Sequence, residues 1–309
     1  EEVMTVLGAI PANQIGITLM HEHFLADLSR KTGEPDHFLG NIKVAIEEAK
    51  HFCNAGGTTV VDVTTRGLGR EPEALQEIAR ETGLNIVMGC GWYREPYYYH
   101  ELYKKTTNQI ANDIIRDVVK GVGDTEVRAG IIGEIGIKDG ALTENEIKII
   151  QAASQASIAT GISISFHYGG TGRERFKLLD IIQNEGCPTD RIILGHSDLI
   201  AGDLDLILEL LDYGIYIQFD LLGRVGAHLM MEPSDLSNPW PSYLDISSTA
   251  LVSKVLPTLI SYGYADQILL SQDVCTKIQL KKFGGTGYSF ILESFIPHLL
   301  EVGVSQDDI

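Results

Sequence analysis

Eight short runs of β-branched and aliphatic residues recur along the chain, at 17–20, 58–64, 85–89, 130–135, 162–166, 191–194, 215–219 and 267–270. Each is nearly continuous in apolar residues, the pattern of a strand buried on both faces. The stretches between them carry apolar residues at helical spacing, over 41–54, 72–81, 108–119, 143–160, 172–184, 203–212, 246–261 and 288–300. Thr143-Glu144-Asn145-Glu146 comes close to a capping box, and Gly56, Gly83, Gly161, Gly186 and Gly214 stand where helices should end. Eight β-then-α units predict a (β/α)8 barrel, with residues 1–309 as a single domain. A doubly wound sheet would normally place a Gly-rich phosphate turn after its first strand, and none follows 17–20.

Polar residues interrupt this pattern at the strand ends. His21-Glu22-His23 closes the first run, and residues i and i+2 of a strand share a face, so the two imidazoles should project side by side. Glu134 lies inside the fourth run. His167 ends the fifth, His196 follows the sixth and Asp273 follows the eighth. In a barrel these ends converge on one rim. Four histidines and two carboxylates gathered there are the donors that two divalent ions need, since a carboxylate can bridge two ions and shield their repulsion. An ionised Glu134 inside an apolar strand would be costly without such partners.

Asp62 and Asp220 are further carboxylates in apolar strands, expected to orient ligand histidines or to be satisfied core groups. Trp92 and Tyr93, at the end of the third strand, are candidates to wall a substrate pocket. Two connections are long, 24–40 and 223–245, and loops of that length at strand ends often shape a pocket. Gly284-Gly285-Thr286-Gly287 could cradle a phosphate through its backbone, but a plain flexible loop is the favoured reading.

Charge narrows the partners. Asp and Glu number 42 against 24 Lys and Arg, a net charge of −18. Nucleic acid and anionic membrane surfaces are therefore poor candidates. No segment approaches the apolar length of a transmembrane helix. Four scattered cysteines, Cys53, Cys90, Cys187 and Cys275, show no metal or disulfide spacing, and the expectation is reduced thiols in a cytoplasmic protein.

The series HEH, GEIG, FHYGG, LGHSD and LSQD resembles the phosphotriesterase-related branch of the amidohydrolase superfamily. The likeness extends over nearly the whole chain, from Val6-Leu7-Gly8 to Gly284-Gly285-Thr286-Gly287-Tyr288. It implies a binuclear metal hydrolase, with His21, His23 and Asp273 on one ion, His167 and His196 on the other, and Glu134 bridging both. Zinc is the expected metal, with manganese or cobalt as alternates. Many members bridge their ions with a carbamylated lysine; Glu134 places this chain with the carboxylate-bridged subset. Asp220 is followed by Leu221, where organophosphate-cleaving members carry His and lactonases Arg, so neither label transfers. Arg224, three residues on, could reach the pocket instead.

By the same resemblance a hydroxide shared by the metals attacks a carbonyl or phosphoryl centre, and Asp273 acts as the catalytic proton acceptor. A small molecule with a scissile carbonyl bond (lactone, ester or N-acyl amide) is the expected substrate. A phosphotriester hydrolase and a non-catalytic ligand-binding barrel are the alternatives. The resemblance also implies a homodimer, and a C-terminus cut short at Gln306-Asp307-Asp308-Ile309, where relatives continue into a further helix.

Overall fold

The structure is a computed structural model, and it describes residues 1–138, 140–168, 172–224 and 248–309. Eight strands form one sheet: β1 (Thr18–Glu22), β2 (Thr59–Asp62), β3 (Asn85–Cys90), β4 (Ile131–Ile137), β5 (Ile164–Tyr168), β6 (Ile192–Leu194), β7 (Tyr216–Phe219) and β8 (Ile268–Leu270). Each pairs in parallel with the next in sequence, as Val60 with Ile86, Leu194 with Phe166 and Phe219 with Leu270. The first and last strands meet at their C-terminal ends. There the Asp273 N–H donates to His21 O at 3.1 Å and the His21 N–H to Ser271 Oγ at 2.9 Å. The sheet is thereby nearly closed into the expected barrel.

Helices α1 (Ile42–Asn54), α2 (Pro72–Thr82), α3 (Thr107–Val119), α4 (Glu144–Thr160), α5 (Arg175–Asn184), α6 (Leu204–Leu211), α7 (Ser248–Ser261) and α8 (Ile296–Glu301) follow the strands in turn. Local chemistry sets their ends. Thr143 and Glu146 complete a reciprocal capping box on α4, and Gly83 and Gly161 end α2 and α4 in the left-handed conformation. The 288–300 stretch departs from one continuous helix: Ile291–Phe295 is a π turn and only then does α8 begin. Pro297 has no N–H to give Glu293 and its ring crowds that carbonyl, so the backbone widens before it.

Two cores result. The outer one lies between strands and helices, with Phe52, Ile78, Ile150, Leu179 and Ile207 essentially inaccessible. The inner one, Val61, Val63, Val87, Ile131 and Ile193, fills the barrel. Val3 packs onto it from an antiparallel hairpin, Glu2–Thr5 with Gly8–Pro11, which the hydrophobic pattern does not foreshadow. β8 is only half-buried, unlike its neighbours, because its outer face looks into an apolar groove shared with Ile17, Leu19 and Ile291. The 24–40 connection folds on itself through a short pairing of Ala26–Asp27 with Phe38–Leu39. The 225–245 part of the other long connection lies outside the described residues. No described helix is long and apolar enough to cross a membrane.

Candidate metal centre

β1 runs through His21 to Glu22, and the strand alternation turns His21 and His23 to the same side. Glu134 reaches both from β4: His23 Nε2 lies 3.3 Å from Glu134 Oε1, and His21 Nε2 lies 3.5 Å from Oε2. His167 Nδ1, at the end of β5, stands 3.0 Å from the same Oε2 and 2.6 Å from His196 Nε2. Asp273 Oδ1 completes the ring, 3.3 Å from His23 Nε2. Three overlapping triads share these six residues: His21, His196 and Asp273; His21, His23 and Glu134; Glu134, His167 and His196. All six predicted donors thus converge in one cluster, of which His23, Glu134, His167 and Asp273 line a small pocket, and every one but half-buried His167 is buried.

The backbone is bent to present them. Among the described residues, His196 (φ 52°) and Asp273 (φ 45°) are the only non-glycine residues at positive φ, a conformation that costs free energy for side chains of this size. Gly195 lets the chains close up: a Cβ there would sit 2.7 Å from Phe166 O and 3.0 Å from Asp220 Oδ2.

A second layer orients the rings. Asp220 accepts from His196 Nδ1 at 2.7 Å through Oδ1 and faces His21 Nδ1 at 3.0 Å through Oδ2. Gln218 Nε2 donates to the same Oδ2 at 2.7 Å, while Asp198 Oδ2 accepts the Asp220 N–H at 2.8 Å. His23 Nδ1 rests 2.8 Å from Thr64 Oγ1, and Asp62 fixes that neighbourhood by accepting the N–H groups of Phe24 and Thr64. Asp62 therefore acts on His23 at one remove, and Asp220 acts on two histidines directly. With their Nδ1 atoms engaged, His21, His23 and His196 turn Nε2 inward. His21 Nε2 is buried and makes no well-formed hydrogen bond, its carboxylate neighbour Glu134 Oε2 standing off at 3.5 Å.

Electrostatics point the same way. Burial alone would lower the His23 imidazole, but Asp273 and Glu134 outweigh it and push it up to about 10. His21 is likewise raised against its burial by Asp220 and Glu134. Glu134 is held well below the carboxylate range, burial notwithstanding, by His167 and His21. His167 alone falls, to about 4, through burial and the neighbouring His196. The pocket favours positive charge, as a cation-binding cavity should.

The remaining candidates divide. Tyr93 lines the pocket with its hydroxyl 3.3 Å from His167 Nε2. Trp92, one residue earlier, points the other way into the outer core. Arg224 reaches the pocket: its Nη2 donates to Asp273 Oδ2 and, at 3.0 Å, to Asp273 O. Cys275 lines the pocket, while Cys90 lies in the core with its thiol pushed up to about 12 by burial. All four cysteines are free. The Gly284–Gly287 stretch is no phosphate cradle, because Gly284, Gly285 and Gly287 give their N–H groups to Lys281, Leu280 and Gln279 carbonyls.

Sequence reasoning missed a role for Glu22. Its carboxylate, fully buried on the strand face opposite the histidines, accepts from Ser271 Oγ, Gln272 N and Val274 N, each at 2.8 Å. It pins the segment that carries Asp273. The available signal was a charged residue in the middle of an otherwise inward-reading motif.

A sequence model of the phosphotriesterase family matches residues 1–309. The chain belongs to that family, whose members are metal-dependent hydrolases. It is 34% identical over 271 residues to an N-acetyltaurine hydrolase of Dictyostelium discoideum, covering 88% of this chain and 70% of that protein. The solved phosphotriesterase homology protein of Escherichia coli, complexed with phosphate in its active site, superposes with a TM-score of 0.85 at 31% identity, over 96% of this chain and 94% of that one. A resiniferatoxin-binding protein from Rhodobacter sphaeroides gives a TM-score of 0.87 at 30% identity, over 99% and 91%.

Proposed function

We propose that this protein is a binuclear metal-dependent hydrolase acting at a carbonyl centre, with N-acyl amides as its preferred substrates. The reading is carried by Glu134, one buried carboxylate whose two oxygens face three histidines. His21, His23 and Asp273 would hold one ion, His167 and His196 the other, and Glu134 both. The donors fit such ions: a buried His21 Nε2 without a well-formed hydrogen bond, neighbouring rings whose outer nitrogens are engaged, and the imidazole–carboxylate mixture that suits zinc, manganese or cobalt. Bound there, the ions would supply Lewis acidity and make a water acidic enough to attack near neutral pH.

The chain's own groups do the rest. Burial would raise Asp273, but Arg224 and the histidines hold it down to about 2, so it is ionised and free to accept the water's proton. It then returns that proton to the departing amine. The Tyr93 hydroxyl stands beside His167, where it can hydrogen-bond the substrate. Leu28 and Leu68 close the pocket's apolar side against bulk water. The N-acetyltaurine hydrolases among the relatives support the amide over the lactone and ester forms of the same chemistry.

Metal-stripped protein reloaded with zinc, manganese or cobalt provides the test, by metal analysis and by turnover of N-acyl amides, esters, lactones and phosphotriesters. The expected result is two ions per chain and chelator-sensitive amide hydrolysis. A single ion per chain overturns the binuclear reading, and turnover confined to phosphotriesters overturns the carbonyl reading. Full metal loading with no turnover of any panel would favour a ligand-binding barrel.

A further inference from the structure

Three arginines stand on three successive strand-end loops, Arg30 after β1, Arg66 after β2 and Arg94 after β3, and tyrosines of one loop hold them. The Arg30 and Arg66 guanidinium carbons lie 5.7 and 6.0 Å from the Tyr99 ring centre, and that of Arg94 lies 5.4 Å from Tyr93 and 6.0 Å from Tyr97. In a chain of net charge −18 this basic edge beside the candidate metal pocket runs against the general trend. The three are not equivalent. Arg30 is occupied by Gly67 O, the Tyr99 hydroxyl and Asp27. Arg66 is exposed.

Arg94 is half-buried and its Nε is buried with no hydrogen-bond partner. Its guanidinium touches the Tyr97 hydroxyl, yet no carboxylate pairs with it among the described residues. The adjacent Glu95 instead accepts from Asn145 Nδ2 at 2.9 Å. A partly desolvated guanidinium with no counter-ion among the described residues is costly, and an arriving anion would offset that cost.

Its contact with Tyr93, which lines the pocket, limits how far that anion can lie from the candidate metal ligands. The Tyr93 ring touches both Arg94 and His167, its centre 5.4 Å from the guanidinium carbon and 4.8 Å from the imidazole centre, so the two groups lie no more than about 10 Å apart. An acyl carbonyl carbon and an anionic group two carbons beyond the amide nitrogen are about 5 Å apart by standard bond lengths. Adding one contact distance at each end brings such a molecule within reach of both groups.

We infer that Arg94 is the anion-reading residue of this site, selecting N-acyl amides whose amine half ends in a sulfonate or carboxylate on a short linker. This rests on the carbonyl-hydrolase reading for the reaction, but not for the binding. The test has two arms. In the first, propane-1-sulfonate and butyrate are titrated into metal-free wild type and Arg94→Met by calorimetry. Wild type should bind, and Arg94→Met should bind about tenfold more weakly or worse, the loss expected for one charge-assisted pair. Arg94→Lys should recover part of it. Whichever anion binds more tightly names the group. Equal affinity in wild type and Arg94→Met, or no binding to wild type, overturns the inference whether or not the enzyme turns anything over.

In the second arm, metal-loaded proteins hydrolyse N-acetyltaurine, N-acetyl-β-alanine and neutral N-acetylpropylamine. The anionic-to-neutral ratio of kcat/KM should collapse in Arg94→Met, through KM, at unchanged metal content. A collapse in Arg224→Met with the ratio intact in Arg94→Met would assign the anion to Arg224 instead. Absence of all turnover in wild type would count against the hydrolase reading, while the calorimetric comparison would still decide whether Arg94 binds the anion.

Discussion

Arg224 grips Asp273 twice, donating to the side-chain Oδ2 and to the main-chain oxygen of the same residue. The guanidinium thus holds both the carboxylate and the left-handed backbone that presents it. Burial tends to raise Asp273, and Arg224 leads the charges that bring it down to about 2. Removing that charge in Arg224→Met should raise the Asp273 pKa. As a base, Asp273 works only when ionised, so activity lost on acidification should be lost at a higher pH in the variant. The acid limb of the kcat/KM profile should move upward while the alkaline limb stays; an unmoved acid limb would separate Arg224 from the proton acceptor.

Asp273→Asn keeps the shape and the hydrogen bond from Arg224 to the main-chain oxygen but removes the proton acceptor. Turnover should fall by about 10²–10⁴-fold, the usual worth of a positioned base. Metal analysis should find most of the metal retained, since five other donors remain. Near-normal turnover would end the assignment of Asp273 as the base.

One carboxylate, Asp220, orients a histidine assigned to each ion, His196 at 2.7 Å and His21 at 3.0 Å. Asp220→Asn leaves one oxygen and replaces the other with a donor that cannot accept from an imidazole N–H. Loss of such an orienting partner typically costs 10- to 100-fold in metal affinity. Competition with a chromogenic chelator should show both ions weakened by about that factor. Weakening of a single ion would show that only one of the two contacts matters.

Glu22 offers a stability test as well as an activity test. Each carboxylate oxygen faces only donors, Ser271 and Gln272 on one side and Val274 on the other. An amide has one acceptor, so Glu22→Gln must set an NH2 against at least one buried donor, at a cost of about 1–3 kcal/mol. Urea denaturation of the metal-free protein should register that loss, and displacement of Asp273 should lower kcat beyond it. Unchanged stability and kcat together would deny Glu22 its hold on the segment.

What could be read from the chain follows how local the cause is. His21 and His23 announce themselves because a strand's two-residue period needs no knowledge of the rest of the fold. Glu134 and Asp220 stood out as carboxylates in apolar runs, where burial forces a partner. The role of Glu22 was hidden because its three partners lie about 250 residues away in sequence. Trp92 and Tyr93 were indistinguishable as pocket walls, since which of two neighbours faces inward depends on the register at the strand end. Arg94 gave no signal at all: its setting is two tyrosines and the lack of an acid among the described residues, and neither has a spacing. The π turn before α8 was legible in principle from Pro297, but helical periodicity alone reads through it.

The balance of charge in the pocket makes metal binding a proton-releasing event. Burial opposes protonation of His23, yet Asp273 and Glu134 carry its pKa to about 10, so in the metal-free protein the ring is protonated at about pH 8. His21 is raised as well. A cation needs the neutral imidazole, and binding must expel the proton. Zinc titrations in buffers of different ionisation heat should therefore report release of at least one proton per chain at about pH 8. Apparent affinity should climb as pH rises toward the His23 value and level off above it. A pH-independent affinity with no proton released would mean that His23 is already neutral, and that Asp273 and Glu134 do not hold the cationic ring.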